Sequence, residues 1–215
     1  PLVVKAPLQL TGGGTLKAAR DIETRIGVTS TDSLLRFADT AAGSKVTELT
    51  VDLAGAGRNA VDVDAPGTTV DNLTVRNYHK PIKSDRVRYG TTESALRIKA
   101  SGVTARKVRC EDMLTDKEDS TPRCVNIQGG VKDIVLEDIS GVRINGGIVI
   151  AKSTGVRIQR YDFRDLTDNG LYVLPDAEGV VATDGYLENA TEPVVFKARN
   201  SQVSRLKILN QGLPF

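Results

Sequence analysis

One short pattern, apolar-x-x-apolar-x-apolar-x-Asx, returns along most of the chain and constrains its fold more than any other feature. Its copies are Val70, Leu73, Val75, Asn77; Ala105, Val108, Cys110, Asp112; Val131, Ile134, Leu136, Asp138; and Ile158, Tyr161, Phe163, Asp165. Two more are Ala182, Gly185, Leu187, Asn189 and Val203, Leu206, Ile208, Asn210, and an earlier copy, Val46, Leu49, Val51, ends in Leu53. A second pattern, apolar-x-apolar, lies between these copies. It appears as Leu8-Gln9-Leu10, Leu35-Arg36-Phe37, Val61-Asp62-Val63 and Leu96-Arg97-Ile98. It continues as Val125-Asn126-Ile127, Ile148-Val149-Ile150, Leu171-Tyr172-Val173 and Val194-Val195-Phe196. Two independent patterns holding one register, at about 21 to 35 residues per unit, mark a repeat architecture.

The periodicity inside each unit is two, not 3.6, so the units are strands. A single coil of strands exposes its apolar side chains, and stacking coils buries them. Alternation then sends Val61, Leu96, Val125, Ile148, Leu171 and Val194 inward as an aliphatic column. The Asx positions suit tight corners, where a short polar side chain bonds neighbouring backbone. Leucine-rich horseshoes need a denser Leu consensus, and ankyrin or tetratricopeptide units need paired helices; neither pattern is present. The segment Leu16 to Ile26 has a weak helical spacing, but Ile22, Thr24, Ile26 and Val28 alternate, and the register predicts strand. With 40% apolar and 26% charged residues, 215 residues suffice to bury a core. Only 4% are aromatic and none is Trp, so aliphatic side chains must fill it. Lys and Arg total 29 against 27 Asp and Glu, a net charge of +2, too balanced to argue for nucleic acid as partner. No apolar run approaches the length of a membrane span.

The strings "GTTVDNLTVRN", "GVKDIVLEDIS" and "GVRIQRYDFRD", each followed by "ALRIK", "GIVIA" or "GLYVL", resemble right-handed parallel β-helix repeats of the pectate-lyase-like superfamily. The opening "LQLTGGGTLKA" is similar to the glycine-rich first coil of phage tail spikes and related polysaccharide-active proteins. The resemblance spans essentially the whole chain. It implies an all-β, right-handed parallel β-helix of about eight coils, a single domain over 1–215 that forms part of a longer protein or assembly. It fixes no activity, because that superfamily holds lyases, hydrolases, epimerases, adhesins and inert shafts.

Two coils are longer than the others, with the excess at Tyr78 to Ser94 and at Met113 to Arg123. Being in adjacent coils at one phase, these insertions are expected to project side by side and to mark a working surface or a contact to another chain. Beside them runs the outward column of the first strand: Gln9, Arg36, Asp62, Arg97, Asn126, Val149, Tyr172, Val195. A parallel column holds Asp64, Lys99 and Gln128. Asp62, Arg97 and Asn126 on successive rungs predict a polar trough able to bond sugar hydroxyls; a solvated ladder of alternating charge is the other reading.

Three chemistries can be set against that trough. Glycoside hydrolysis needs two carboxyl groups about 5 to 9.5 Å apart, for which Asp62, Asp64, Glu93, Asp116, Glu118 and Asp119 are the candidates. Lyase chemistry needs a cation to neutralise a sugar carboxylate and a base to take the adjacent proton. Arg86, Arg88, Arg97 and Lys99 could supply the cation, and Tyr89 or Lys83 the base, with Asn126 and Tyr172 as further substrate contacts. Ca²⁺ binding would draw on Asp62 with Asp64; no other cofactor is implied. Arg97-Ile98-Lys99 resembles the RIK tripeptide of polygalacturonases, but their Asn-Thr-Asp, paired-Asp and Gly-His-Gly motifs do not precede it, so no catalytic role carries over. The alginate-epimerase Asp-Pro-His-Asp motif is missing too. The single histidine, His79, is expected at the start of the first insertion, solvated. Cys110 and Cys124 bracket the second insertion, and in an intracellular setting they are expected as buried reduced thiols. A disulfide there would need Cα atoms within about 7 Å.

The expectation that follows is a β-helical module of a phage tail spike or fibre, located in the virion tail, that binds and depolymerises bacterial surface polysaccharide. A secreted polysaccharide lyase or glycoside hydrolase is the first alternative, and a structural shaft or adhesin without catalytic activity the second. About 40 Å of rod with open strand edges at both ends, and Val149 and Val195 in the outward column, further predict a side-by-side homotrimer.

Overall fold

The architecture comes from a computed structural model, which describes residues 2–17, 33–55, 59–80, 93–115 and 122–210. In chain order its strands are β1 (Leu2–Val4), β2 (Gln9–Leu10), β3 (Thr15–Lys17), β4 (Ser33–Phe37), β5 (Lys45–Asp52) and β6 (Asn59–Val63). There follow β7 (Thr69–Lys80), β8 (Ser94–Ile98), β9 (Thr104–Thr115), β10 (Arg123–Ile127), β11 (Val135–Ile144) and β12 (Gly146–Ile150). The last are β13 (Arg157–Leu166), β14 (Asn169–Val173), β15 (Val181–Glu188), β16 (Glu192–Phe196) and β17 (Gln202–Leu209). Every pairing is parallel and joins a strand to its counterpart one coil away. One sheet runs β1-β4-β6-β8-β10-β12-β14-β16, and the other β17-β15-β13-β11-β9-β7-β5-β2, with β3 also on β5. Two parallel sheets wound alternately by one chain make a parallel β-helix of about eight coils.

The predicted inward column is the spine of the first sheet. Val61 pairs with Leu96, Leu96 with Val125, Val125 with Ile148, Ile148 with Leu171, and Leu171 with Val194. The first five are fully buried and Val194, in the last coil, is half-buried. At roughly 1.5–3 kcal/mol per buried aliphatic side chain, stacking is the main stabilising term.

Each long strand of the second sheet bends where a residue takes the left-handed conformation. One such column is Glu48, Asn72, Lys107, Asp138, Arg160, Asp184, Arg205. A second contains Asn77, Asp112, Arg143, Asp165 and Asn189. A third, at the far end of the first sheet, holds Gly67, Gly102, Gly155 and Gly179, with Asp133 and Asn200 where glycine is replaced. Gly, Asn and Asp tolerate this conformation best. The arginines that occupy it are offset by bonds to the acid one coil earlier: Arg143 donates to Asp112, Arg160 to Asp138 and Arg205 to Asp184.

Four sequence expectations need correction. Leu8-Gln9-Leu10 does not open the first sheet: Leu2–Val4 pairs with β4, and Gln9–Leu10 joins the second sheet. The copy beginning at Val131 is displaced by five residues, since Leu136, not Val131, lies opposite Ala105. Arg143 therefore takes the corner assigned to Asp138, and the ion pair with Asp112 replaces the Asx signature. His79 lies within β7, opposite Leu114, not in a loop. Cys110 and Cys124 are not thiols: they form a disulfide with Cα atoms 5.7 Å apart, joining β9 to β10 inside the core. The two strands of one coil converge there. Closing a loop of that size contributes about 3 kcal/mol. Of Leu16 to Ile26, Leu16 and Lys17 are strand, and the alternating residues Ile22, Thr24, Ile26 and Val28 lie outside the described residues.

Candidate functional site

The outward column of the first sheet has the predicted order from its second coil on. Arg36 pairs with Asp62, Asp62 with Arg97, Arg97 with Asn126, Asn126 with Val149, Val149 with Tyr172 and Tyr172 with Val195; Val3, not Gln9, begins it. Its accessibility is not as expected. Asp62, Arg97 and Asn126 are 1%, 4% and 4% exposed, so this stretch is no open trough. The charges are offset within the row. Arg97 Nε donates to Asp62 Oδ1 at 2.9 Å and Arg97 Nη2 to Asp62 Oδ2, a two-armed pair. Burial pushes the Asp62 carboxyl above its usual range, with Arg97 pulling the other way. Val149 is also buried, and Val195 half-buried.

The parallel column is more open. Asp64 sits between Arg36 Nε at 2.6 Å and Lys99 Nζ at 2.9 Å. Burial raises its pKa, but the bonds to Lys99 and Arg36 outweigh this and hold it below the ordinary value. Asp62 and Asp64 are thus each tied to cations. Among the described residues no group of three acids, cysteines or histidines converges to hold a metal, which leaves the Ca²⁺ expectation without a ligand set. Glu93 is buried just before β8, and its carbonyl accepts from the Arg123 N–H. Arg86, Arg88, Tyr89, Lys83, Asp116, Glu118 and Asp119 lie outside the described residues.

A second polar array, not singled out in the sequence, occupies the corner where the second sheet hands the chain to the first. This is the corner at which β7 ends before β8 and β9 before β10. Arg123 Nη2 donates to Asp168 Oδ2 at 2.7 Å and, more weakly, to Asn169 Oδ1 at 3.5 Å. Asn169 Nδ2 in turn donates to Glu192 Oε2 at 3.1 Å. The chain of bonds thus crosses four successive coils, at about 4.8 Å per rung. Arg123 reaches across one coil because the residue between is Gly146; a Cβ there would come within 2.1 Å of Arg123 Nη1. Beside it Asn145 Nδ2 donates to Thr167 Oγ1 at 2.5 Å. Tyr172 is half-buried and close enough to Arg123 to interact electrostatically. Burial lowers the pKa of Arg123, and Asp168 opposes that shift. The signal for this array was in the sequence: from β4 to β16 the positions opening the strands of the first sheet read Ser33, Asn59, Ser94, Arg123, Gly146, Asn169, Glu192, each polar or glycine.

These features define a parallel β-helix with polar side chains bonded from coil to coil along one corner. No protein-family model and no curated protein matches the chain. Among solved structures, the polygalacturonase from Erwinia carotovora ssp. carotovora aligns over 99% of this chain and 84% of that one, at 13% identity and a TM-score of 0.35. The strand register by itself makes the chain a parallel β-helix.

Proposed function

We propose that the chain is a β-helical module that binds bacterial surface polysaccharide, with other copies of itself, as part of a phage tail spike or fibre. The observation that carries the reading is the bonded row Arg123–Asp168–Asn169–Glu192. At its solvent side the row presents the Asp168 and Glu192 carboxylates on adjacent coils, which suits a polymer of hydroxyl-rich units lying parallel to the axis. β7 and β9, the two longest strands, both end at this corner. A secreted polysaccharide lyase or hydrolase is the second reading, and the Cys110–Cys124 disulfide favours it, since such bonds form in oxidising compartments. The test is incubation of the chain with purified capsular and lipopolysaccharide glycans, scoring retention and, separately, new reducing ends or unsaturated products. Retention without cleavage supports the binding module, and cleavage supports the enzyme. Neither retention nor cleavage across the panel would leave the shaft reading in possession. Light scattering of the same sample reads the trimer directly.

A further inference from the structure

Arg123 is held in a way that a purely structural role does not account for. The residue is only 5% exposed. One nitrogen, Nη2, serves Asp168 and Asn169, while Nε and Nη1 are buried with no hydrogen-bond partner. Asn145 Oδ1 is in the same condition, although its Nδ2 bonds Thr167. Two unsatisfied donors and one unsatisfied acceptor therefore adjoin the single step Thr167–Asp168. Buried polar groups are rarely left so, and where they occur together they mark a place that water or a ligand completes. The solvent side of this step is accessible: the Asp168 side chain is 28% exposed and Glu192 is exposed.

Charge decides what can enter. Asp168 already answers Arg123, so the guanidinium is not an open anion receptor. Along this corner Arg123 is paired with Asp168 and Arg143 with Asp112, and Asp165 and Glu192, each bonded to an asparagine amide, add two acids without a cation in those bonds. A ligand carboxylate placed there would lie within a Debye length of several like charges. A neutral sugar instead donates its hydroxyls to Asp168 and Glu192 in charge-assisted bonds.

We propose that the Asp168–Glu192 step, backed by Arg123, is a subsite for a neutral, hydroxyl-rich sugar unit that discriminates against uronic acids. The assignment rests on the glycan-binding reading above. The full chain is titrated calorimetrically, at low salt, with neutral galactan hexasaccharide, neutral maltohexaose and a hexamer of galacturonic acid. At least one neutral hexamer is expected to bind about tenfold tighter than the uronate. Asp168→Asn, and separately the exposed Glu192→Gln, should narrow that preference to within about threefold, the second at an unchanged thermal midpoint and the first at a lowered one because buried Arg123 loses its counter-charge. The second variant keeps the test decisive if the first fails to fold. Uronate binding equal to or tighter than the neutral hexamers, or a preference unmoved by Glu192→Gln, overturns the subsite while leaving glycan binding intact. Binding of none of the three hexamers overturns the subsite, and failure of every glycan in the polysaccharide panel as well overturns the glycan reading.

Discussion

Two buried arginines lie on the same face of the rod and end in opposite situations. Arg97 meets Asp62 with two arms, one coil away, and both partners are withdrawn from water. Arg123 reaches past Gly146 to Asp168 with one nitrogen, leaves two unbonded, and its acid stays partly open. A matched two-armed pair has little left to offer a ligand; it offsets the desolvation of its own members. An incompletely bonded arginine behind an accessible carboxylate is still short of partners, and that deficit is what a binding site provides. The difference separates a residue that holds the coils together from one that prepares a surface.

The sharpest way to break that contrast is to remove Arg97. Arg97→Ala leaves Asp62 buried without its guanidinium, and should cost about 3–5 kcal/mol by urea unfolding. A loss under about 1 kcal/mol, the range of an exposed pair, would show that Asp62 is solvated after all and that the two arginines do not differ in kind. Next in size is the disulfide beside Arg123. Cys110→Ala with Cys124→Ala removes the cross-link without stranding a thiol, and should lower stability by about 3 kcal/mol. Unchanged unfolding midpoints in the native chain with and without reductant would mean that packing alone fixes the start of β10.

The smallest effect is in acid. Bonds to arginine or lysine hold Asp64, Asp112, Asp138 and Asp184 below the ordinary carboxylate pKa. A carboxyl lowered by folding stabilises the native state above its unfolded pKa, about 4, and that contribution fades as pH falls through the folded value. Asp62 runs the other way: with its pKa raised by burial, protonation in acid favours the folded form. Urea midpoints from pH 7 down to pH 3 should therefore fall, and fall less steeply in Asp64→Asn. Parallel curves for the two proteins would remove Asp64 from the account.

The fold was legible because stacking repeats one physical demand in every coil. The inward column from Val61 to Leu171 needs only period-2 alternation and an apolar side chain, and the structure keeps it in register throughout. The corners were legible only where they obeyed the Asx rule. Arg143 broke it through an ion pair to Asp112, a contact between coils that leaves no local mark, and the register slipped by five residues there. The outward column was read in the right order but with the wrong environment, because alternation gives direction and not solvent access. Asn169 and Glu192 were passed over because the polar column they belong to has no fixed residue type, and Asp168 because it lies just before its strand. What joins them is the Arg123 side chain crossing a glycine, and that depends on a residue being absent rather than present.

The most direct test compares the two aspartates in one titration series. Asp62→Asn and Asp168→Asn are each measured for thermal midpoint and for calorimetric affinity toward the best-binding neutral hexamer. The account predicts that both variants lower the midpoint, since each leaves a buried arginine without its carboxylate, but that folded Asp62→Asn keeps its affinity within about twofold while folded Asp168→Asn weakens binding about tenfold or more. Weaker binding in folded Asp62→Asn together with native affinity in Asp168→Asn would contradict it, and would move the site back to the outward row of the first sheet.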